Sequence, residues 1–487
     1  MTAFADSLLY IDGVLRPTGQ GRMYDNIAPT TGRPVGRAAD AGAEDMEAAI
    51  TAARRAFDES DWAHDHAARM QWMDRLQAKL AELIPTYRER ISAETGATLA
   101  VVDSVGLAVP VEMMKWTIDL ARNYAFERDI GISTTMGVPS RRLVFKEAAG
   151  VVGAITPWNM PVQINLAKLT AALAAGCTVV LKPAPDTPWS AMMVGEAAAA
   201  IGLPKGVLNI VTSADKAALG EQLVQDLRVD VISFTGSTAV GKRIMAAASA
   251  TLKRVFLELG GKSANIVLDD AQFPDALYGA MTVCFHAGQG CSLPTRILLP
   301  RARYEEAVEI IRQMYEAMPF GDPANPQQFM GPVVSKAQFE RVAGYIRLGQ
   351  DEGARLVTGG VAEGMDGYYI RPTLFADVTN DMRIAQEEIF GPVLVAIPHD
   401  GDDDAVRIAN DSVYGLGGAV QSSDPDRALA VARRIRTGSL NINSANMFGA
   451  DAPFGGYKQS GIGREMGVEG FEEYLETKTV AVEAQGA

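Results

Sequence analysis

Val151-Val152-Gly153-Ala154-Ile155 opens a run in which short apolar stretches alternate with longer helical ones. Helices are expected over Pro161–Ala175, Ser190–Ile201, Ala217–Gln225 and Val240–Ala250. Strands are expected over Val151–Ile155, Thr178–Leu181, Val207–Val211, Val229–Phe234 and Arg254–Leu257. Strands that are apolar throughout need cover on both faces, so this alternation predicts a parallel, doubly wound α/β sheet. Such sheets bind ligands outside the carboxyl ends of their strands. The residues that leave each strand therefore carry the functional question: Thr156-Pro157-Trp158-Asn159, Lys182-Pro183-Ala184, Thr235-Gly236-Ser237 and Glu258-Leu259-Gly260-Gly261-Lys262.

Outward from this core, residues 1–125 read as a short hairpin around Leu8–Leu15 and helices over Asp45–Phe57, Ala67–Ile91 and Val109–Ala125. His64 and His66 fall in a charged loop and are expected to be solvated. Residues 126–148 read as a two-stranded excursion with no core of its own, which must lie against something else, such as another subunit. A second α/β unit spans about Asn265 to Gly455. It has helices at Tyr304–Met318 and Ser335–Glu352 and strands near Arg355–Thr358, Val393–Ile397 and Ser439–Ile442. The tail Glu472–Val482 alternates like an edge strand.

A chain of 487 residues exceeds one core and implies two or three domains. Its net charge of −14, with no basic run, argues against nucleic acid or an anionic membrane as partner. Cys177, Cys284 and Cys291 form no disulfide framework, and the four histidines give no metal-ligand spacing with them. The N-terminus lacks a signal-peptide pattern, and the longest apolar run, Leu169–Leu181, is too short to cross a bilayer. A cytoplasmic location is expected.

Several stretches carry possible chemistry. Cys291 follows Gly288-Gln289-Gly290, between a helical run expected over Phe273–Ala287 and the strand Ile297-Leu298-Leu299. That position predicts an exposed thiol nucleophile, although a lone cysteine is as often a small core residue. Gly236-Ser237, opening a helix through Gly241, suits a pyrophosphate at a helix start, or is an ordinary capped turn. Lys182 is placed to reach ribose hydroxyls, or simply ends a strand. Trp158-Asn159 offers an aromatic wall and an amide donor for an oxyanion, or a plain turn. Glu258, ending an apolar strand, is a candidate base with raised pKa, or a structural contact. Glu387-Glu388 before Ile389-Phe390-Gly391-Pro392 is a second acidic candidate or surface charge. His286 invites a Cys–His protease reading, but no third partner has recognisable spacing.

Taken together these motifs resemble the NAD(P)-dependent aldehyde dehydrogenases. Pro157-Trp158-Asn159, Lys182-Pro183, Phe234-Thr235-Gly236-Ser237-Thr238, Leu257–Lys262, Gly288–Cys291, Glu387–Pro392 and Pro453–Gly461 occur in family order across nearly the whole chain. The resemblance implies a Rossmann-like nucleotide domain (1–126 and 149–258), an α/β catalytic domain (259–457) and a small β bridging element (127–148 and 472–487) that makes a homodimer or homotetramer. It implies that Cys291 attacks an aldehyde, Asn159 and the Cys291 N–H hold the oxyanion, hydride passes to NAD, and Glu258 activates water to release the acid. Ile155, Thr156, Pro157, Trp158, Lys182, Gly220, Gly236, Ser237, Gly241, Leu259, Glu388 and Phe390 would hold the cofactor. Met160, Ile164, Phe285, Ser292, Phe448 and Phe454 would line the substrate pocket, with Ala167 where relatives can carry tryptophan.

Pro185 stands where many NAD-preferring members have an acid, so NAD is expected as main cofactor with some use of NADP. Uncharged walls predict apolar aliphatic, aromatic or terpenoid aldehydes. Two rivals remain: a CoA-acylating enzyme, which commonly lacks the Glu258 base, and a non-catalytic protein on the same scaffold, against which Cys291, Glu258 and Asn159 speak.

Overall fold

The computed structural model describes residues 4–484. The five expected parallel strands form the centre of an eight-stranded sheet. Its order is Gly461–Ile462, Arg254–Glu258, Val231–Thr235, Val151–Ile155, Thr178–Lys182, Leu208–Ile210, Leu9–Ile11, Val14–Arg16. The five central strands pair in parallel, and the added strands at both edges are antiparallel. The hairpin expected around Leu8–Leu15 is present as Leu9–Ile11 and Val14–Arg16; its place in this sheet, and the two-residue strand Gly461–Ile462, are too short to be read from alternation along the chain. The chain passes from one side of Val151–Ile155 to the other when it reaches Val231–Thr235. The crevice at their carboxyl ends is the switch point at which such sheets take ligands.

Both faces of this sheet are covered. The helices Pro161–Ala175 and Pro188–Ile201 are buried over most of their surfaces, and strand residues such as Val152, Val179 and Ile232 are inaccessible to solvent. Full burial of each aliphatic side chain is worth roughly 1.5–3 kcal/mol. Glu94, at the end of the helix His66–Thr95, accepts hydrogen bonds from the N–H groups of Trp189 and Ser190 at 3.0 and 2.8 Å. It thus occupies orphan donors at the start of Pro188–Ile201.

The second sheet has seven strands in the order Arg355–Val361, Ile370–Ala376, Val393–His399, Arg296–Pro300, Ala264–Val267, Gly418–Gln421, Asn441–Ile442. All pair in parallel except the first two. Strands Ala264–Val267, Ile370–Ala376 and Gly418–Gln421 are additional to those read from sequence. A third sheet joins Leu475–Glu483, Ser140–Ala148 and Glu127–Ser133, all antiparallel. The tail therefore is an edge strand, paired with the excursion; residues 485–487 lie outside the described region.

Two local expectations are corrected. His66 is not in a solvated loop: it begins a helix, contacts the Arg69 guanidinium at 3.1 Å and packs edge-on to Phe126, because the preceding turn folds the ring back onto the bridging segment. The run before Cys291 is not a continuous helix to Ala287. Phe285 leaves helical geometry and His286 and Ala287 are left-handed, at φ 48° and 53°. The apolar pattern persists there because the residues are buried, not because they are helical.

Candidate active site

The strand ends and the cysteine loop meet between the two large sheets. Gly261, just beyond the strand bearing Glu258, passes so close to the Cys291 carbonyl that a Cβ at this position would collide with it. Gly288, at φ 74°, packs against Gly391 with no space for a side chain. Glycine at these two positions lets three loops approach: the turn after Glu258, the cysteine loop and the loop carrying Glu388. A fourth segment closes the site from the C-terminal side. Ser460 accepts the Leu259 N–H through its carbonyl at 2.9 Å and donates its hydroxyl to the Gly260 carbonyl at 2.7 Å.

Cys291 is half-buried, not exposed as the sequence suggests, because these loops fold over it. Burial, followed by the nearby Glu258, Glu388 and Glu465 carboxylates, pushes its thiol well above the ordinary range. Asn159 is buried, and its side-chain amide donates to the Gln289 carbonyl at 2.9 Å. Gln289 is itself fixed: its Oε1 accepts the Val334 N–H at 2.8 Å and its Nε2 donates to the His286 carbonyl at 3.1 Å. The amide that could hold an oxyanion is therefore tied to the loop that carries the thiol. His286 has no hydrogen-bond partner on either ring nitrogen among the described residues, and burial lowers its pKa to about 4. It does not activate Cys291, so the protease arrangement is absent.

Glu258 is buried, with both carboxylate oxygens free of hydrogen-bond partners among the described residues. Burial raises its pKa well above the ordinary carboxylate value, and Glu465 raises it further while Lys168 and Arg464 oppose. Sequence reasoning missed Glu465 and Lys168. They form a buried ion pair, and Lys168 also donates to Ser233 Oγ at 3.1 Å. Lys168 was visible only as a charge inside an otherwise apolar helix, which is the signal that could have found it. Lys262 was also overlooked as a site residue. It is 1% exposed, has no partner for its ammonium among the described residues, and has a pKa lowered by burial to about 7.

Most of the expected nucleotide residues lie along the first sheet's carboxyl edge, and Glu388 and Phe390 come from the loop before Val393–His399 of the second sheet. Ile155, Thr156, Pro157 and Trp158 leave Val151–Ile155, and the Thr156 N–H bonds to the Lys182 carbonyl at 3.2 Å. Gly236 and Ser237 open the helix Thr238–Ala248; Ser237 caps it, and Gly241 lies against Leu259. Gly220 lies next to the Lys182 stem: a Cβ at this position would stand 3.7 Å from Lys182 Cδ. Glu388 accepts the Gly261 N–H at 3.0 Å, and burial raises its pKa to about 7. Its neighbour Glu387 faces outward, paired with Arg383 at 2.7 Å. Phe390, left-handed at φ 62°, sets its ring edge-on to Trp158 at 5.4 Å. Strained backbone at a non-glycine residue here fits a position built for a ligand. A helix start, a lysine at a strand end, a glutamate and an aromatic pair fit a dinucleotide.

Of the expected substrate-pocket residues, Met160 and Ile164 lie at the start of Pro161–Ala175 and Ser292 follows the thiol. Phe448 is on the loop before Phe454, which forms a bridge with Glu465. A small cavity of about 30 Å³ opens on the same helix, lined by Gln163, Ala167, Met113, Met114 and Phe471 among others, with no charged side chain and with none of the expected pocket residues in its lining. Phe285 instead borders a separate, more open apolar pocket of about 380 Å³ with Met281, Met318 and Phe329. Phe285 thus faces a different space from Ala167.

Residues 16–480 match the family model described as "Aldehyde dehydrogenase family". The chain belongs to the aldehyde dehydrogenase family. A geranial dehydrogenase of Castellaniella defragrans is 44% identical over 441 residues, 90% of each chain. The Mycobacterium tuberculosis aldehyde dehydrogenase solved with NAD+ superposes with a TM-score of 0.94 at 40% identity, covering 100% of both chains. A mutant of aldehyde dehydrogenase C from Pseudomonas syringae, solved with NAD+ and octanal, gives 0.92 at 39% identity, covering 99% of this chain and 98% of that one. Like those proteins, this one is an enzyme that oxidises aldehydes. No helix among the described residues is long and apolar enough to cross a membrane.

Proposed function

We propose that this enzyme oxidises apolar aldehydes, whether aliphatic, aromatic or terpenoid, to carboxylic acids through a thioester on Cys291. The observation that carries this reading is the convergence of the Cys291 loop, Asn159 and the unsatisfied Glu258 carboxylate. Cys291, once deprotonated, attacks the carbonyl carbon. The Asn159 amide, held by Gln289, and the Cys291 N–H stabilise the resulting oxyanion. NAD, when bound, accepts the hydride as that oxyanion collapses to the thioester. Glu258 in its ionised form takes a proton from water, which adds to the thioester; the acid leaves and the thiol is restored. A carboxylate free of partners serves release to water, which argues against transfer to a second thiol such as CoA.

NAD is the cofactor, and the reading assigns Lys182 and Glu388 to its two riboses and the start of Thr238–Ala248 to its pyrophosphate. Residues 1–126 and 149–258 serve as the nucleotide domain and 259–457 as the catalytic domain. Ile130 and Ile132 on the three-stranded sheet, and Met136 and Val138 on the turn joining two of its strands, are exposed apolar residues, which suits a homodimer or homotetramer joined there. Three free cysteines suit a reducing cytoplasm.

The small Ala167 cavity supports the substrate class, since its uncharged lining offers no partner for a charged group. The test is a series of aldehydes of rising length beside succinic semialdehyde and betaine aldehyde. kcat/KM should rise by up to about fourfold per methylene, from ~0.8 kcal/mol each, until the cavity fills. A charged substrate that leads the series would overturn this assignment.

A further inference from the structure

We infer that a small cavity behind the cysteine loop is a binding site for one chloride-sized monovalent anion, held by Lys262, Arg296 and Ser263. The cavity measures about 20 Å³ and is lined by these three residues, Tyr414, Gly417 and Arg436 among others. Such a volume accommodates about one water-sized species. Gly417 fixes its place in the fold: a Cβ there would stand 3.0 Å from the carbonyl oxygen of Ser292, the residue after Cys291.

The side chains at this wall offer donors. Lys262 and Arg296 are each 1% exposed. The Lys262 ammonium has no hydrogen-bond partner among the described residues. Arg296 gives Nε to the Lys262 carbonyl at 3.0 Å and Nη1 to Asn380 Oδ1 and the Ile408 carbonyl at 2.9 and 3.1 Å. Its Nη2 donates to the Ala409 carbonyl at 3.0 Å. These acceptors are all neutral, and one guanidinium N–H remains for a ligand. Ser263 Oγ accepts the Gly417 N–H at 3.2 Å, which leaves its hydroxyl proton free to donate.

Two buried cations thus share one enclosed space. The acids that act on them are engaged elsewhere. Glu388 accepts the Gly261 N–H at 3.0 Å, Glu387 pairs with Arg383, and Asp411 accepts the Asn380 amide at 3.0 Å. Arg436, itself exposed, adds positive charge to the wall. Unpaired charge away from water is costly, and like charges repel more strongly there. Burial and then Arg296 lower the Lys262 pKa to about 7. A bound anion offsets the repulsion and takes up the free donors, whereas a water molecule leaves the charge uncompensated.

The test is a bromide soak of crystals of the whole enzyme, with anomalous diffraction recorded at the bromine edge. One ordered bromide is expected in the cavity, in contact with Lys262 Nζ. In solution, replacing gluconate by chloride at constant ionic strength should raise Tm by roughly 1–2 °C, because a ligand that binds only the folded state stabilises it. Lys262→Met should abolish both signals. Ser263→Ala keeps both cations and should weaken bromide binding several-fold, which keeps the test open if Lys262→Met does not fold. No anomalous peak in the cavity at saturating bromide, with Tm following ionic strength alone, would overturn the inference. A bromide held equally well by Lys262→Met would overturn it too.

Discussion

Two carboxylates flank Cys291, Glu258 buried and Glu388 half-buried, and they differ in what they hold. Glu388 accepts the Gly261 N–H, which fixes its direction, and its pKa rises only to about 7. Glu258 has no hydrogen-bond donor on either oxygen among the described residues and faces the like charge of Glu465. The same side chain is thus an oriented acceptor in one place and, in the function proposed above, a base in the other. Both carboxyls have raised pKa values, and the two differ in burial and in the presence of a fixed donor.

Removing the thiol that both carboxylates serve should have the largest effect. Cys291→Ala should lower aldehyde oxidation by at least about 10⁴-fold while NAD+ still binds, as calorimetry would check. Retained turnover would erase the comparison altogether. Glu258→Gln should lower steady-state kcat by roughly 10²–10⁴ but preserve a first-turnover burst of NADH in stopped flow. Glu388→Gln should behave differently. It should weaken productive cofactor binding by about 10–100-fold, as expected for lost charge-assisted hydrogen bonds, and suppress the burst itself. Identical phenotypes for the two glutamates would mean that the fixed donor makes no difference.

A smaller effect sharpens the contrast. Glu258 has a raised pKa and must be ionised to act, so the deacylation rate should rise with pH along a limb well above the ordinary carboxylate range. Glu465→Gln removes the like charge and should move that limb to lower pH, with Glu388-dependent cofactor affinity little changed. A limb that stays in place would show that desolvation alone sets the Glu258 value.

Much of this arrangement could be read from sequence. The five apolar strands were legible because double-sided burial writes a continuous apolar run. Glu258, Lys182 and Gly236 stood out because each directly follows such a run. The strand Gly461–Ile462 and the hairpin edge were not legible as sheet members, since two or three residues carry no periodicity. Glu465 was hidden for another reason. It sits beside Met466, a left-handed residue at φ 59°, in a loop whose meaning depends on long-range contact with Lys168. The irregular backbone before Cys291 was read as helix because its burial mimics helical patterning.

The claim that a Cys291 thioester forms and Glu258 resolves it is tested most directly by trapping. Glu258→Gln enzyme, mixed with NAD+ and a medium-chain aldehyde and quenched in acid, is analysed by intact-mass and peptide mass spectrometry. The account predicts a near-stoichiometric acyl adduct on the peptide containing Cys291, absent when NAD+ is omitted. No adduct despite a full NADH burst, or an adduct on Cys177 or Cys284, would contradict it.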